Sequence, residues 1–153
     1  MTLPALIPRP QRLRVLGGGV RLSTPVAIRI GLGAATALFP VARRLRDRLR
    51  DRGIRSAVVL HSTPLPAGPG IHLGLAHTRL PANPPSPDEV YGLRAEGSVI
   101  HIEGHGVAGA HHGVSTLLQL VKAERGSLLC LSGHETGEGR AHHLGVLLGA
   151  PAA

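Results

Sequence analysis

The chain has 153 residues, 42% of them hydrophobic, which suits one domain with a single core. Its formal charge of +8 would fit nucleic-acid binding, but one Phe, one Tyr and no Trp leave no aromatic-interleaved patch, so we expect no nucleic-acid partner. The single cysteine excludes an internal disulfide, and no apolar run approaches the roughly 18 residues that span a bilayer, so we expect no membrane partner.

The first predicted elements are a strand and an amphipathic helix. Val26, Ile28 and Ile30 alternate, which places three branched side chains on one face of a strand. A helix is predicted from Thr36 to the stop at Gly53. Its apolar positions are Leu38, Ala42, Leu45 and Leu49. The opposite face is rich in arginine, with aspartates at pairing distance, and this pattern indicates a solvated surface.

Further strands follow, separated by two Pro-rich stretches. "SAVVLH" is a short apolar run that fits a buried strand, and "GIHLGLAH" alternates again. "VYGLRAEGSVIHIEG" predicts a hairpin that turns at Glu96 and Gly97. Because consecutive strands joined by short turns favour antiparallel pairing, we expect an α+β fold: a largely antiparallel sheet with two helices packed on one face.

The second helix is predicted in "GVAGAHHGVSTLLQLVKA". One apolar stripe is formed by Val107, Ala110, Val114, Leu117, Leu118 and Val121. His111 and His112 lie beside this stripe, and packing is the task the stripe indicates. We expect residues 1–125 to form the domain. Residues 126–153 read as a divergent, loose tail in which "SLLCLS" could be one more strand.

Ten histidines raise the question of a metal site. His101, Glu103 and His105 fall on one face of the predicted strand and could ligate zinc or iron. Simple alternation, with Ile100 and Ile102 facing the core, explains the same pattern and is favoured. Other candidates lack partners: "HE" at residues 134–135 has no second histidine, and Ser115 and Cys130 have no base in a recognisable arrangement. We therefore predict no catalytic, cofactor-binding or metal-binding residue, and no cofactor.

Two segments resemble a known family. "LIPRPQRLRVLGGGVRLSTPVAI" is similar to the start of the non-catalytic N-terminal domain of bacterial β-N-acetylhexosaminidases, glycoside hydrolase family 20. "DEVYGLRAEGSVIHIEGHGVAGAHHGVSTLLQLV" resembles the closing part of that domain, roughly up to residue 125. The matching residues are Glu89, Tyr91, Leu93, Ile100, Ile102, Gly109, Gly113, Thr116, Leu117, Gln119 and Leu120.

The resemblance implies a small α+β domain that abuts a catalytic (β/α)₈ barrel. The barrel, of about 250 residues, would hydrolyse terminal β-linked N-acetylhexosamines with an acidic Glu and an Asp that orients the substrate's own acetamido group. The one adjacent Asp-Glu pair here, Asp88 and Glu89, belongs to the scaffold motif. We therefore expect a chain truncated before the barrel and inactive alone, with His111 and His112 as scaffold substitutions.

Several alternatives stay open at this point. A stand-alone carbohydrate- or protein-binding module on the same scaffold is the main rival, and a metal protein using His101, Glu103 and His105 is a more distant one. With no convincing signal peptide in "MTLPALIPRP", the expected location is cytoplasmic. Sugar preference and oligomeric state are left open.

Overall fold

The computed structural model describes residues 14–15, 20–62, 68–75, 87–124, 127–130 and 143–145. The strands are β1 (Arg14–Val15), β2 (Val20–Ser23), β3 (Val26–Gly31), β4 (Ser56–His61), β5 (Gly70–Leu75), β6 (Tyr91–Glu96), β7 (Val99–Gly104), β8 (Val121–Glu124), β9 (Ser127–Cys130) and β10 (His143–Gly145). The helices are α1 (Ala35–Asp51) and α2 (Val107–Leu120), and short 3-10 turns cover Leu32–Ala34 and Pro87–Glu89.

The strands form two sheets. The main sheet has the order β1-β10-β6-β7-β5-β3-β4, and β2-β9-β8 form a small antiparallel sheet. In the block β6-β7-β5-β3-β4, the pairs β5 with β7, β3 with β5 and β3 with β4 are parallel, and the hairpin β6–β7 is antiparallel. The α+β class is confirmed, whereas the expectation of a largely antiparallel sheet is wrong.

The error comes from treating strands that follow each other in the chain as neighbours in the sheet. β4 and β5 are consecutive, yet β3 lies between them. Because α1 links β3 to β4, these two strands lie parallel and side by side, and β5 then pairs with the other edge of β3. Alternation of apolar residues predicts which face of a strand is buried, but not the direction of its neighbour.

Helix α1 forms where apolar residues recur at helical spacing, and it ends at a glycine. Its fully covered side chains are Leu38, Val41, Ala42, Leu45 and Leu49. Gly53 adopts a φ of 76°, and its N–H donates to the carbonyl of Arg50 at 2.8 Å. The predicted stop is confirmed. Asp47 lies 3.0 Å from the guanidinium of Arg46, so opposite charges do pair on the outer face.

Helix α2 packs closely on β6 and β7 and beside α1. A Cβ on Gly109 would lie 2.1 Å from the carbonyl oxygen of Val90, and one on Gly113 would lie 2.5 Å from Cγ2 of Ile102. Only glycine permits this approach at both positions. At the far end, the Arg52 guanidinium donates to the carbonyls of Leu118 and Val121, which ties the end of α1 to the end of α2.

The core lies between the helices and one face of the main sheet. Its sheet side is formed by Ile28, Ile30, Ile71, Leu73, Leu93, Ala95, Ile100 and Ile102, all nearly or fully buried. Each strand buries alternate residues there, so the other face of the sheet carries the remaining side chains. Neither α1 nor α2, the two α-helices in the described ranges, combines the length and apolarity that a membrane-spanning helix needs.

Of residues 126–153, the structure describes the backbone of β9 and β10. β9 coincides with the stretch "SLLCLS" and pairs with β2 and β8, while β10 pairs with β6. The boundary at residue 125 and the loose character of the tail stay predictions, and most of the tail lies outside the described residues.

Candidate functional site

The sequence candidates for metal binding are not brought together. His101 and Glu103 lie on the sheet face opposite the helices, His101 half-buried and Glu103 exposed. His105 follows the end of β7, and its backbone N–H donates to the carbonyl of Val90 at 2.8 Å. In the ranges that the structure describes, no three His, Cys, Asp or Glu side chains are placed to hold a metal ion. His134 and Glu135 lie outside those ranges, and of Cys130 only the backbone is described.

A row of basic side chains crosses the same sheet face. Arg29 on β3 is in register with His72 on β5, His72 with His101 on β7, and His101 with Arg94 on β6. The rings of His72 and His101 meet edge to face with centroids 5.1 Å apart. Alternation in "GIHLGL" places His72 on the outer face, but the row itself depends on the parallel strand order, which the sequence analysis missed.

His72 is the most constrained member of this row. It is 6% exposed, and neither ring nitrogen has a hydrogen-bond partner among the described residues. Burial lowers the pKa of His72, and the neighbouring His101, Arg29 and His61 lower it further, while the Gly68 backbone offsets part of the shift. The ring is therefore held neutral, which suits a structural histidine.

The histidine pair of α2 is likewise part of the scaffold. Burial lowers the pKa of His111, and Arg44 and His112 add to the effect. His112 lies 3.8 Å from the carboxylate of Glu89. Ser115 donates its hydroxyl to the His111 carbonyl at 3.0 Å, while the Arg44 guanidinium donates to Ser115 at 3.3 Å. These groups connect α2 to α1 and to the turn before β6, and none is arranged as a nucleophile with its base.

Inside the core, Tyr91 and Thr116 form one polar pair. Their hydroxyl oxygens are 2.6 Å apart, and both side chains are fully buried. Burial raises the pKa of Tyr91, although the bond to Thr116 acts in the opposite direction. The phenol therefore stays protonated, and the pair fixes the position of α2 on β6.

Exposed apolar side chains gather at one end of the molecule. Within the described ranges, the exposed large apolar residues are Leu32 (56%), Phe39 (41%), Leu60 (47%), Leu75 (39%) and Val107 (37%). Leu32 directly follows β3, Leu60 and Leu75 lie at the ends of β4 and β5, and Val107 begins α2 just after β7. Because these four strands are parallel, their carboxyl ends share one edge. We name these five residues the strand-end surface.

A shallow cavity of about 430 Å³ extends from this surface along α1. It is lined by Phe39, Pro40, Arg43, Arg44, Asp47, Arg48 and Asp51. An exposed phenylalanine beside several arginines has the composition of a protein-binding surface, since aromatic and Arg side chains supply most of the binding energy at interfaces. Sequence reasoning treated this helix face as solvated, because a helical period does not show that Phe39 stands next to other exposed apolar groups.

Comparison with known proteins gives a consistent result. The model of "Glycosyl hydrolase family 20, domain 2" matches residues 3–134. The chain is similar to the GH20 β-N-acetylhexosaminidase of Streptomyces coelicolor, with 27% identity over 97% of this chain and 26% of that one, at a TM-score of 0.67. No curated protein matches it.

Two further solved structures resemble the chain. The N-acetyl-β-hexosaminidase of Streptomyces plicatus shows 27% identity over 97% of this chain and 26% of its own, with a TM-score of 0.68. The exo-β-N-acetylglucosaminidase of Vibrio harveyi shows 18% identity over 95% of this chain and 19% of its own, with a TM-score of 0.64, which demonstrates a shared fold alone. The chain thus spans about a quarter of the length of the two Streptomyces enzymes.

Proposed function

Since the chain belongs to the family of glycosyl hydrolase family 20, domain 2, we propose that it is a non-catalytic domain that supports the catalytic barrel of a β-N-acetylhexosaminidase. The match to residues 3–134 carries this proposal. The remaining three quarters of the Streptomyces enzymes lie outside the part that this chain resembles, and we assign the hydrolysis of β-linked N-acetylhexosamines to such a portion.

The described side chains support a structural task. The adjacent carboxylates Asp88 and Glu89 belong to the 3-10 turn before β6, and Glu89 faces His112 of α2. The backbone of Asp88 also lies against α2, since a Cβ on Gly109 would come within 3.2 Å of its carbonyl oxygen. Both acidic residues thereby help seat a helix, and neither lines the α1 cavity or faces a described nucleophile.

The strand-end surface and the α1 cavity are the proposed docking site for the barrel. Several large apolar groups exposed at the same end of a domain mark an interaction surface. Three arginines and two aspartates line the cavity, and this small excess of positive charge favours a partner face that carries carboxylates. A binding module for free sugars would be the alternative, but the described exposed aromatic side chain, Phe39, lies among these arginines on a broad surface rather than in an enclosed site.

A chimera tests the proposal. This chain would replace the corresponding quarter of the Streptomyces coelicolor enzyme, and hydrolysis of a chromogenic β-N-acetylglucosaminide would be compared with the intact enzyme and with the enzyme lacking that quarter. We expect the chimera to be active, the shortened enzyme to be impaired, and this chain alone to give no hydrolysis. A soluble chimera no more active than the shortened enzyme would contradict the proposal, and saturable sugar binding by the isolated chain would favour the module.

A further inference from the structure

We propose that a second cavity, at the seam between the two sheets, binds a small ligand that carries a phosphate or sulfate group. This seam cavity has a volume of about 310 Å³. It is lined by Arg21, Leu22, Ser23, Pro25, Val26, Ala27, Arg29, Pro69, Gly70 and Ser98. It lies at the amino ends of β3 and β5, the opposite end of these strands from the strand-end surface, so it is independent of the proposed docking site.

The lining has the chemistry of an oxyanion site. Two arginines, Arg21 on β2 and Arg29 on β3, line the same cavity, and none of the described lining residues is acidic. Guanidinium groups present several N–H donors in a planar fork that matches the oxygens of phosphate and sulfate. Ser23 and Ser98 add two hydroxyl groups, which can donate to the same oxygens.

Arg29 carries an unfulfilled donor. Its Nε is buried and has no hydrogen-bond partner among the described residues. A buried donor left unpaired is unfavourable, and a bound ion, water or ligand that reaches the Arg29 guanidinium would relieve this. His72 occupies the neighbouring register position on β5, so the side chain next to Arg29 on that strand carries no negative charge that would oppose an anion.

Closely packed backbone at Gly70 forms part of the cavity wall. Gly70 has a φ of 147°, and a Cβ there would lie 2.6 Å from the carbonyl oxygen of Ala27. The Gly70 N–H donates to the carbonyl of Ser98 at 3.1 Å, which ties the β6–β7 turn to the start of β5. Beside it, a Cβ on Gly68 would lie 3.3 Å from a terminal nitrogen of Arg29, so the end of that side chain is closely packed. A preformed site loses less entropy when the ligand binds.

The size of the cavity restricts the ligand. About 310 Å³ is at the lower end of the range for small-molecule sites, which is enough for a hexose phosphate and too small for a polymer segment. Inorganic phosphate, inorganic sulfate and a phosphorylated or sulfated small molecule share the oxyanion chemistry. The experiment must therefore separate the free ion from its ester.

Isothermal titration calorimetry on the full chain tests the site with inorganic phosphate, inorganic sulfate, glucose 6-phosphate and unmodified glucose, with chloride holding the ionic strength constant. We expect saturable one-to-one binding of at least one oxyanion and none of glucose. Arg29→Gln and Arg21→Ala should each weaken binding by about tenfold or more, the scale of a lost charge-assisted contact. Arg50→Ala, which removes an exposed arginine of α1 that lines neither cavity, is the matched control and should bind as the unaltered chain does.

The outcomes separate cleanly. Tighter binding of glucose 6-phosphate than of inorganic phosphate assigns an organic ester, and equal or weaker binding assigns the free ion; both sustain the site if the arginine variants lose it. Absence of saturable binding for every oxyanion, or equal weakening by Arg50→Ala, overturns the proposal. Should Arg29→Gln fail to fold, Ser98→Glu on the exposed turn places a carboxylate at the cavity and is expected to abolish binding in a folded chain.

Discussion

At the residue scale, His72 makes the stability of the fold depend on pH. Its ring is covered by protein, lacks hydrogen-bond partners among the described residues, and faces Arg29 on β3, His61 on β4 and His101 on β7. Burial and these neighbours lower its pKa from the ordinary value of 6.5. Below that value the unfolded chain binds a proton that the folded chain resists, so acid favours unfolding.

We predict that the contribution of His72 to the free energy of unfolding is constant above pH 6.5. Below that pH, the free energy of unfolding should fall as the pH decreases toward the lower pKa of the folded state. Urea unfolding at several values between about pH 8 and pH 5.5 measures this, because histidines dominate titration in that range. His72→Leu should flatten the curve. A residual slope is expected from His111, whose pKa is also lowered by burial.

His112→Leu is the matched control, since its ring is half-buried and lies beside Glu89 on a different face of the molecule. It should retain the loss of stability in acid. If the His72→Leu chain lost as much stability as the unaltered chain between the two pH limits, the assignment to His72 would be wrong. His101 was correctly predicted on the outward face, but His72 was overlooked. A single histidine between apolar residues does not show which side chains lie beside it on the neighbouring strands.

At the element scale, the contact with the least free space is the packing of α2 against the residues just before β6. The Val90 carbonyl accepts the His105 N–H at 2.8 Å, so it is held in place where Gly109 passes over it. Gly109 and Gly113 were identified by their resemblance to a family helix, and the apolar stripe was predicted from the helical spacing of its residues. The close contact between Gly109 and the Val90 carbonyl depends on tertiary packing, which the spacing of apolar residues along the chain does not show.

We predict that Gly109→Ala destabilises the domain by about 1 to 3 kcal/mol, the usual cost of overpacking. The gain in helix propensity, about 1 kcal/mol, does not offset it, since the new Cβ would meet backbone that cannot move aside. Thermal and urea unfolding measure the change. Gly33→Ala is the control because no atom lies within 4 Å of a Cβ there, and it should leave stability unchanged or slightly raised. Equal effects of both substitutions would contradict the packing argument.

The same scale shows why the sheet was mispredicted. The hairpin β6–β7 was found because its turn is local, with Gly97 at a φ of 59°. The parallel pairing of β3, β5 and β7 joins segments that are distant in the chain, and the preference among such pairings arises from how α1 and α2 cover one face together. Local patterns therefore predicted both helices, the hairpin and the buried faces of several strands. They wrongly placed Val121 in the second helix, whereas it begins β8, and they put Val107, which is 37% exposed, in the packing stripe. The order of strands required the assembled core.

At the scale of the whole molecule, the two ends of the parallel strands have different character. The strand-end surface is apolar, while the seam cavity at the amino ends is basic. Composition alone predicted a basic chain but located neither the apolar surface nor the basic cavity. Their positions depend on which side chains the folded core buries and which it leaves exposed. This asymmetry matches a domain with one face committed to another domain and the other end open to solvent and ions.

The proposed docking role of Phe39 can be tested separately from any role in folding. It is 41% exposed in the isolated domain, so Phe39→Asp should change the stability of this chain by no more than about 0.5 kcal/mol, as for most surface substitutions. In the chimera with the Streptomyces coelicolor enzyme, the same change should lower the unfolding midpoint and cost about 1.5 to 3 kcal/mol, because the proposed contact would cover the ring and the substitution would place a charge there.

Ala57→Asp, an exposed position at the amino end of β4, controls for the added charge and should leave both proteins unchanged. Differential scanning calorimetry of the isolated chain and the chimera, each with both substitutions, decides the matter. A midpoint that falls equally in both contexts would show that Phe39 supports the fold itself. A midpoint that falls in neither would place the barrel on another face. A drop confined to the chimera assigns Phe39 to the contact, because only a residue that the partner covers stabilises the joined state without stabilising the separate one.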